Sequence, residues 1–287
     1  MGVVRVGTAS WANRRQLASG WYPRSVRTPA GRLAHYASRF DLVEADTGHY
    51  AIPAPEITAA WAAATPPGFT FDVKAFGLLT GHPTSLAALP ADLRPAGADL
   101  TTPLRRGDLP IEAVEELWLR LHQALDPLED AGRLGAVLLS FPGWLAYGPA
   151  ARRRVLDTIE RCAPRPPAVE LRHPSWFEGA RAAETLLMLH DAGAALVCVS
   201  DVHGLAVTAE PAIVRLEDPA KPEHGAGERD ERPDEPRLAD WAARLRHLAA
   251  DADELHLLVD TRNAHRDAER LVELLAERPL RSGLRAV

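Results

Sequence analysis

The segment Glu170-Leu171-Arg172-His173 brings three chemically active side chains into four consecutive residues. A glutamate acts as a general acid or base when burial raises its pKa, and a histidine exchanges protons near neutral pH. An arginine binds phosphate or carboxylate groups through two parallel hydrogen bonds. Glu170 and His173 are therefore candidate catalytic residues, and Arg172 is a candidate substrate ligand. The alternative roles are ion pairing for Glu170 and strand-end packing for His173.

Charged side chains also end other short apolar runs, at Glu44, Lys74, Arg215 and Asp260. Side chains of a strand alternate between its faces, and the odd positions of residues 69–74 are apolar, which predicts an inward-facing Lys74. The same alternation turns Arg215 inward. We expect these groups to meet at one end of a barrel and to bind a small anionic ligand, such as phosphate. A structural salt-bridge network is the alternative, although the desolvation cost of buried charges makes such networks weak stabilisers.

Aromatic side chains could complete a binding site, because Trp11, Trp21 and Trp176 would offer a stacking platform to a sugar or a base. Simple packing in the core is the alternative for all three. A divalent-metal site is a further alternative, with candidate ligands His49, His82, Glu170, Asp201, His203, His256 and Asp260. None of these has a spacing such as HExxH, and nearby cations would repel a metal ion. We therefore expect neither a metal nor a cofactor.

The composition is that of an ordinary globular protein of 287 residues, with 46% apolar and 25% charged residues and a formal net charge of -6. That charge does not favour a broad nucleic-acid-binding surface, although a locally basic pocket is compatible with it. No leader-like start and no window of about 18 apolar residues occur, so we expect a cytoplasmic protein with no membrane partner. Cys162 and Cys198 lack metal or disulfide spacing, which indicates structural thiols. The oligomeric state stays open.

Short strand-like runs alternate with helical periods along the whole chain, which is typical of a parallel sheet. The eight predicted strands are Val3–Val6, Phe40–Glu44, Phe69–Lys74, Ala136–Leu139, Ala168–Leu171, Ala195–Val199, Ala212–Leu216 and Leu255–Val259. The predicted helices are Arg32–Arg39, Ala54–Ala64, Ile111–Leu125, Arg152–Arg161, Ala180–Ala192, Leu238–Ala249 and Ala268–Glu277. No strand precedes a GxGxxG or GxxxxGK[ST] motif, so eight strands favour closure over an open nucleotide-binding sheet. The predicted fold is α/β, a TIM-type β/α barrel spanning residues 1–287 as a single domain.

Two segments interrupt this alternation, at about residues 80–110 and 218–236. The first is rich in Pro, Gly and Asp, and the second reads DPAKPEHGAGERDERPDEP, which cannot bury much apolar surface. Both follow predicted strands, so both are expected at the barrel end where active sites are built. Each is either a lid that contacts substrate or a tolerated surface loop.

Five segments carry a family resemblance: Gly7-Thr8-Ala9-Ser10-Trp11, Trp21-Tyr22-Pro23, Val43-Glu44 with Tyr50 and Pro53, Pro66-Pro67-Gly68-Phe69 with Val73-Lys74-Ala75, and Val169-Glu170-Leu171-Arg172-His173-Pro174-Ser175-Trp176-Phe177. Through them the chain resembles the YecE-like family, also called domain of unknown function seventy-two. That resemblance implies a TIM-type barrel similar in fold to sugar-phosphate isomerases and abasic-site endonucleases, with no established activity. Tyr50 joins the candidate substrate-binding residues.

The sequence departs from the family's usual pattern at the rim of the predicted barrel. Ser10 stands in place of a second glycine, and residues 44–50 read EADTGHY where asparagine and serines usually follow the glutamate. Glu217-Asp218 replaces a usual histidine–glycine, and Asp260-Thr261 replaces a usual pair of asparagines. Either the substrate differs from that of other members or an ancestral activity has been lost.

Two functions from different classes follow from these residues. The first is an enzyme that acts on a small anionic substrate, a phosphorylated sugar or a nucleotide-like compound, by general acid/base chemistry. The second is a non-catalytic binding or interaction module that keeps the same pocket. A metal-dependent, endonuclease-like phosphodiesterase is the weaker third interpretation.

Overall fold

The computed structural model describes residues 2–200, 202, 204–218 and 234–277. Most of the second predicted insertion, residues 219–233, lies outside the described residues. The same holds for two of the candidate metal ligands, Asp201 and His203.

Eight parallel strands form a nearly closed barrel, in which strands consecutive along the chain are hydrogen-bonded neighbours except for the first and second. The strands are β1 Val3–Thr8, β2 Leu42–Ala45, β3 Thr70–Lys74, β4 Leu134–Ser140, β5 Pro167–Glu170, β6 Ala195–Val199, β7 Ala212–Glu217 and β8 Glu254–Asp260. The last strand, β8, pairs in parallel with β1, with Val3 opposite Glu254. All eight predicted strands are therefore confirmed, together with the TIM-type barrel fold.

Seven of the α-helices in the described residues are longer than two turns, and they pack around the strands and bury one face each. They are α1 Pro29–Ala37, α2 Pro55–Ala63, α3 Ile111–Asp130, α4 Pro149–Cys162, α5 Ala180–Asp191, α6 Glu235–Leu248 and α7 Ala264–Ala276. The sequence sets their starts in an ordinary way: the Thr28 hydroxyl accepts a hydrogen bond from Gly31 N at 3.0 Å, and Pro29 occupies the first turn of α1. None of the described helices combines the length and apolar character needed to cross a bilayer.

Side chains, and not backbone hydrogen bonds, close the barrel between β1 and β2. No backbone ladder joins β1 to β2 in the described part of the chain. Instead the buried Tyr36 hydroxyl accepts a hydrogen bond from Thr8 N at 2.8 Å and donates one to Leu42 O at 3.1 Å. The two strands approach so closely that a Cβ at Gly7 would lie 2.0 Å from Leu42 O, so the position needs glycine.

The barrel interior is layered. Near the amino ends of the strands, His256 Nδ1 lies 2.9 Å from Asp72 Oδ2, and both side chains are buried. Above that pair the interior is apolar, filled by Leu42, Ala136, Leu138, Ala168, Ala195, Val197, Val199, Ile213 and Leu258. Phe69, Phe71 and Val73 pack in the outer core between strands and helices, as the alternation predicts. Charged side chains form the last layer, at the carboxyl ends.

The segment after β3 is ordered in the structure. A short antiparallel ribbon pairs Thr84–Ser85 with Pro103–Leu104, and Leu86 and Leu89 anchor the segment in the core. By connectivity the segment lies at the carboxyl end of the barrel, beside the charged layer.

Candidate functional site

A buried arginine occupies the centre of the charged layer. Arg215, on β7, is 1% exposed, and its Nη2 donates to Glu44 Oε2 at 2.6 Å while its Nε donates to Glu170 Oε2 at 3.0 Å. Both glutamates are equally buried, and Asp260 Oδ2 lies 3.6 Å from Arg215 Nη1. Arg215 therefore links the ends of β2, β5, β7 and β8. A buried charge without such partners would be strongly destabilising.

Two arginines favour the ionised form of Glu170. Its Oε1 accepts hydrogen bonds from Arg172 Nε at 2.6 Å and from Ser140 Oγ at 3.2 Å, and its Oε2 accepts from Arg215. Burial alone would raise the pKa of Glu170, but the Arg215 and Arg172 guanidinium groups lower it far below its usual range. An ionised carboxylate with such partners neither donates a proton near neutral pH nor accepts one readily. The role of Glu170 as a general acid or base stays a prediction that this setting disfavours.

Arg172 is paired as well. Its guanidinium donates to both oxygens of Glu217, with Nη1 to Oε2 at 3.1 Å, and its side chain is 34% exposed. Glu217 was not among the residues predicted for this site, and only the departure from the family pattern after the seventh strand pointed to it. Because carboxylates already pair with Arg172 and Arg215, an anion near these two would compete with Glu217 or Asp260 for them.

Lys74 is the least neutralised cation of the layer. Its Nζ lies 3.4 Å from Glu44 Oε1, and its side chain keeps 18% of its surface exposed. Asp46, in the single turn of 3₁₀ helix after β2, is within electrostatic range of this ammonium. Burial and the negative charge of Glu44 raise the pKa of Asp46 to about 6, although Lys74 opposes the shift. A carboxyl group with that pKa can exchange a proton near neutral pH.

Two histidines, His49 and His82, also lie within electrostatic range of Lys74. The ring centroids of His49 and His82 are 4.8 Å apart, and His82 Nε2 lies 3.1 Å from Ser140 O. Burial lowers the pKa of His49 to about 4, with Lys74 acting in the same direction, and burial lowers that of His82 too. Both rings are therefore neutral at pH 7. His49 Nδ1 is buried without a hydrogen-bond partner among the described residues. The His49 ring packs closely against Gly77, since a Cβ at that position would lie 2.7 Å from His49 Cε1.

Two further candidates, His173 and Trp176, lie outside this group. His173 Nδ1 is 2.8 Å from Ser175 Oγ and caps the short 3₁₀ turn Pro174–Trp176. Trp176 is fully buried, and its indole N–H donates to Leu145 O at 2.7 Å. The position of His173 at a turn start matches its alternative role in packing, and the buried Trp176 ring presents no face to a ligand.

Three other aromatic candidates remain. Trp21 is partly buried and its indole N–H donates to Glu269 Oε1 at 3.1 Å, whereas Trp11 and Tyr50 differ in exposure. Trp11 is 9% exposed and packs edge-on against Trp61, with ring centroids 5.3 Å apart. Tyr50 is 69% exposed and lies edge-on to His49, with centroids 5.3 Å apart. Of the aromatic candidates, Tyr50 is thus the one that contacts the histidine pair, and the packing of the tryptophans does not favour a stacking platform.

Metal coordination finds little support in the described ranges. They contain no group of three or more His, Cys, Asp or Glu side chains placed to hold an ion. His256, one of the candidate ligands, lies deep in the barrel with Asp72. Lys74 and Arg215 also bring positive charge to the layer where the other candidates lie.

The fold and this layer define the class: a TIM-type barrel with a charged cluster at the carboxyl ends of its strands. The family model described as "Protein of unknown function DUF72" matches residues 5–285, so the chain belongs to that family. The UPF0759 protein YunF of Bacillus subtilis is 24% identical, over 95% of each chain. The UPF0759 protein YecE of Escherichia coli K12 is 27% identical over 64% of this chain and 54% of its own. These matches confirm the YecE-like resemblance.

Solved structures of the family share the fold. A DUF72 family protein from Enterococcus faecalis V583 superposes with a TM-score of 0.71 at 19% identity, over 96% of each chain. A DUF72 family protein from Thermotoga maritima MSB8 gives a TM-score of 0.70 at 22% identity, over 96% of this chain and all of that one. At these identities the likeness shows the barrel alone.

Proposed function

We propose that the protein is an enzyme that acts on a small anionic substrate, a phosphorylated sugar or a nucleotide-like compound, by general acid/base chemistry. One observation carries the proposal: a partly exposed ammonium, Lys74, lies among Asp46, His49 and His82, whose pKa values are shifted by burial and by neighbouring charges. Groups with perturbed pKa values that cluster at the carboxyl ends of barrel strands are typical of catalytic sites.

Each residue of the group takes a distinct role in this proposal. Lys74 binds the anionic group of the substrate, since Glu44 is the one carboxylate within ion-pair distance of its ammonium among the described residues. Asp46 carries the proton, because its pKa of about 6 leaves both protonation states populated near neutrality. His49 and His82 are neutral, so each can donate or accept a hydrogen bond without adding charge. Glu170 is a positioning residue here, since it fixes Arg215.

A cavity of about 300 Å³ adjoins the charged layer at Asp260, the one lining residue that the two have in common, and its size suits a small substrate. It is lined by Asn13, Arg14, Arg15, Gln16, Asp260, Thr261, Arg262, Ala264 and His265. Three guanidinium groups and one carboxylate give this lining a positive balance, which suits an anion. The Gln16 amide is buried, and neither its nitrogen nor its oxygen has a hydrogen-bond partner among the described residues. A ligand with hydroxyl groups would satisfy it.

A non-catalytic binding module is the second candidate, and one observation favours it. Arg215 and Arg172 are paired with carboxylates on every side, as in a structural plug that closes the barrel end. A module of this kind would bind the same anion through Lys74 and release it unchanged.

Thermal-shift screening against a metabolite library tests both candidates, with Lys74→Met and Arg39→Met as variants. Arg39 is an exposed cation at the opposite end of the barrel and is the matched control. An anionic ligand at about 100 times its Kd should raise Tm by several degrees, since it adds about 2.7 kcal/mol of stability. The shift should disappear in Lys74→Met and persist in Arg39→Met.

Turnover of the hit then separates the candidates. An enzyme should show a rate that depends on a group with pKa near 6, and Asp46→Asn should remove that dependence. Binding without turnover would assign the protein to the second candidate. Absence of any anionic hit on the wild type, or hits that survive Lys74→Met, would contradict both.

A further inference from the structure

A second cavity, of about 650 Å³, lies at the rim of the barrel and shares no lining residue with the charged layer. The ordered segment after β3, the loop after β4 and helix α4 enclose it. Its lining is basic and partly aromatic: Gly81, Pro83, Arg105, Arg106, Gly107, Asp108, Trp144 and Arg154. We propose that this cavity binds a nucleotide, with the phosphate on Arg105 and Arg154 and the base stacked on Trp144.

Two of the three arginines that line the cavity, Arg105 and Arg154, are available to bind an anion. Arg106 Nη2 donates to Asp157 Oδ2 at 3.1 Å, so its charge is largely compensated. Asp108 accepts a hydrogen bond from the backbone N–H of Arg105 at 2.7 Å. No carboxylate of the described residues forms an ion pair with the Arg105 or Arg154 guanidinium. Two exposed guanidinium groups at one cavity, each free to form forked hydrogen bonds, match the oxygens of a phosphate.

The aromatic component is an exposed tryptophan. Trp144 is 61% exposed, whereas Trp118 and Trp176 are almost fully buried. An indole face left open to a cavity can stack a nucleobase, and such stacking is favourable for any base because every base has a π face. Pro83 adds an apolar surface to the same lining. A phosphate site and a stacking surface within one cavity together describe a nucleotide better than a sugar phosphate.

The absence of a side chain at Gly81 leaves room for the Arg154 guanidinium at the cavity. Gly81 has a φ of +100°, and a Cβ there would lie 3.2 Å from Arg154 Nη1. The arginine therefore rests against a turn that glycine makes with little strain. His82, the next residue, belongs to the histidine pair beside Lys74, so the two sites share one short segment.

The size and charge of the molecule favour a free nucleotide over a nucleic-acid strand. A volume of about 650 Å³ lies in the range of cavities that hold small ligands. The chain has a net charge of -6, and one cavity with two free cations offers no continuous track for a polyanion. The proposal also stands apart from the proposed enzymatic function, because none of its contacts is a residue of the Lys74 site.

Calorimetric titration with adenosine monophosphate tests the proposal on the wild type and three variants. Arg154→Ala should weaken binding by about tenfold, since a charge-assisted hydrogen bond is lost. Trp144→Ala should weaken it by a similar factor, and Trp144→Phe should retain most of the affinity. Arg153→Ala is the matched control, an exposed neighbour on α4 that does not line the cavity, and should bind like the wild type.

Further titrations make each outcome decisive. Adenosine and inorganic phosphate alone should each bind more weakly than the nucleotide, and Lys74→Met should bind it normally. Loss of affinity in Lys74→Met but not in Arg154→Ala would place the ligand in the other site and overturn the proposal. Equal binding of phosphate by the wild type and Trp144→Ala, with no gain from the base, would overturn the nucleotide assignment. So would the absence of binding at millimolar nucleotide.

Discussion

The buried His256–Asp72 pair should make the stability of the protein fall as pH rises above neutrality. Burial alone would lower the pKa of His256, but Asp72, with help from Glu254, raises it to about 9. The imidazole is therefore protonated in the folded protein at pH 7 to 8, while in the unfolded chain its pKa is near 6.5. A folded-state pKa above the unfolded one stabilises the fold fully below pH 6.5. That contribution is lost as pH increases through about 9.

The size of the effect follows from the shift in pKa. One pKa unit corresponds to about 1.4 kcal/mol, so a shift from 6.5 to about 9 amounts to about 3 kcal/mol at most. Histidines whose pKa is lowered by burial, such as His49 and His82, titrate below pH 6.5 and act outside this window. Within it, we expect His256 to dominate the change.

Urea unfolding at intervals between pH 6 and pH 9.5 measures the effect, with His256→Gln as the comparison. The wild type should lose about 3 kcal/mol of unfolding free energy over this range, and the variant should start lower and change much less. Groups that titrate at higher pH, such as the thiols, are present in both proteins and cancel in the difference. Parallel pH profiles for the two proteins would refute a charged His256 in the folded state.

Three other predictions concern buried groups of the barrel. Arg215→Met should lower the unfolding free energy by about 3–5 kcal/mol, because buried carboxylates lose their partner, and Arg215→Lys should recover part of it in urea titrations. Tyr36→Phe should cost about 1–3 kcal/mol by the same assay, since the hydroxyl bridges two backbone groups, and an unchanged midpoint would contradict this. Burial raises the pKa of Cys162 to about 12 and that of Cys198 to about 11, so neither thiol should react with a thiol reagent at pH 8 until urea is added. Rapid labelling of the native protein would disprove it.

The sequence predicts the strand faces well, because alternation along a strand is a local property. Lys74 and Arg215 lie at strand ends facing the charged layer, and His256 faces the interior, as the period of two requires. The partners of these side chains are not local. Glu217 reaches Arg172 across 45 positions of the chain, and no periodicity relates the two.

The surroundings of Lys74 were harder to predict, for a related reason. Asp46 and His49 lie on a single 3₁₀ turn after β2, whose direction depends on how the chain leaves the strand. Trp176 looked available to a ligand, but Leu145, 31 residues away, accepts its indole N–H and the ring is enclosed. Conformations beyond the strand ends depend on such distant contacts, which the types and spacing of residues do not encode.

The Tyr36 bridge bears on how the barrel comes apart. Paired strands are held by a backbone hydrogen bond at every second residue. By contrast, β1 and β2 are held together by few side chains, chiefly the phenol of Tyr36. The barrel is an eight-stranded sheet whose two edge strands are joined through the Tyr36 side chain. We expect the barrel to open first between these two strands. Unrolling there leaves the other strand pairings intact and exposes β1 and β2 as edges that can pair with other chains. Loss of one hydroxyl would thus favour self-association of an otherwise folded sheet.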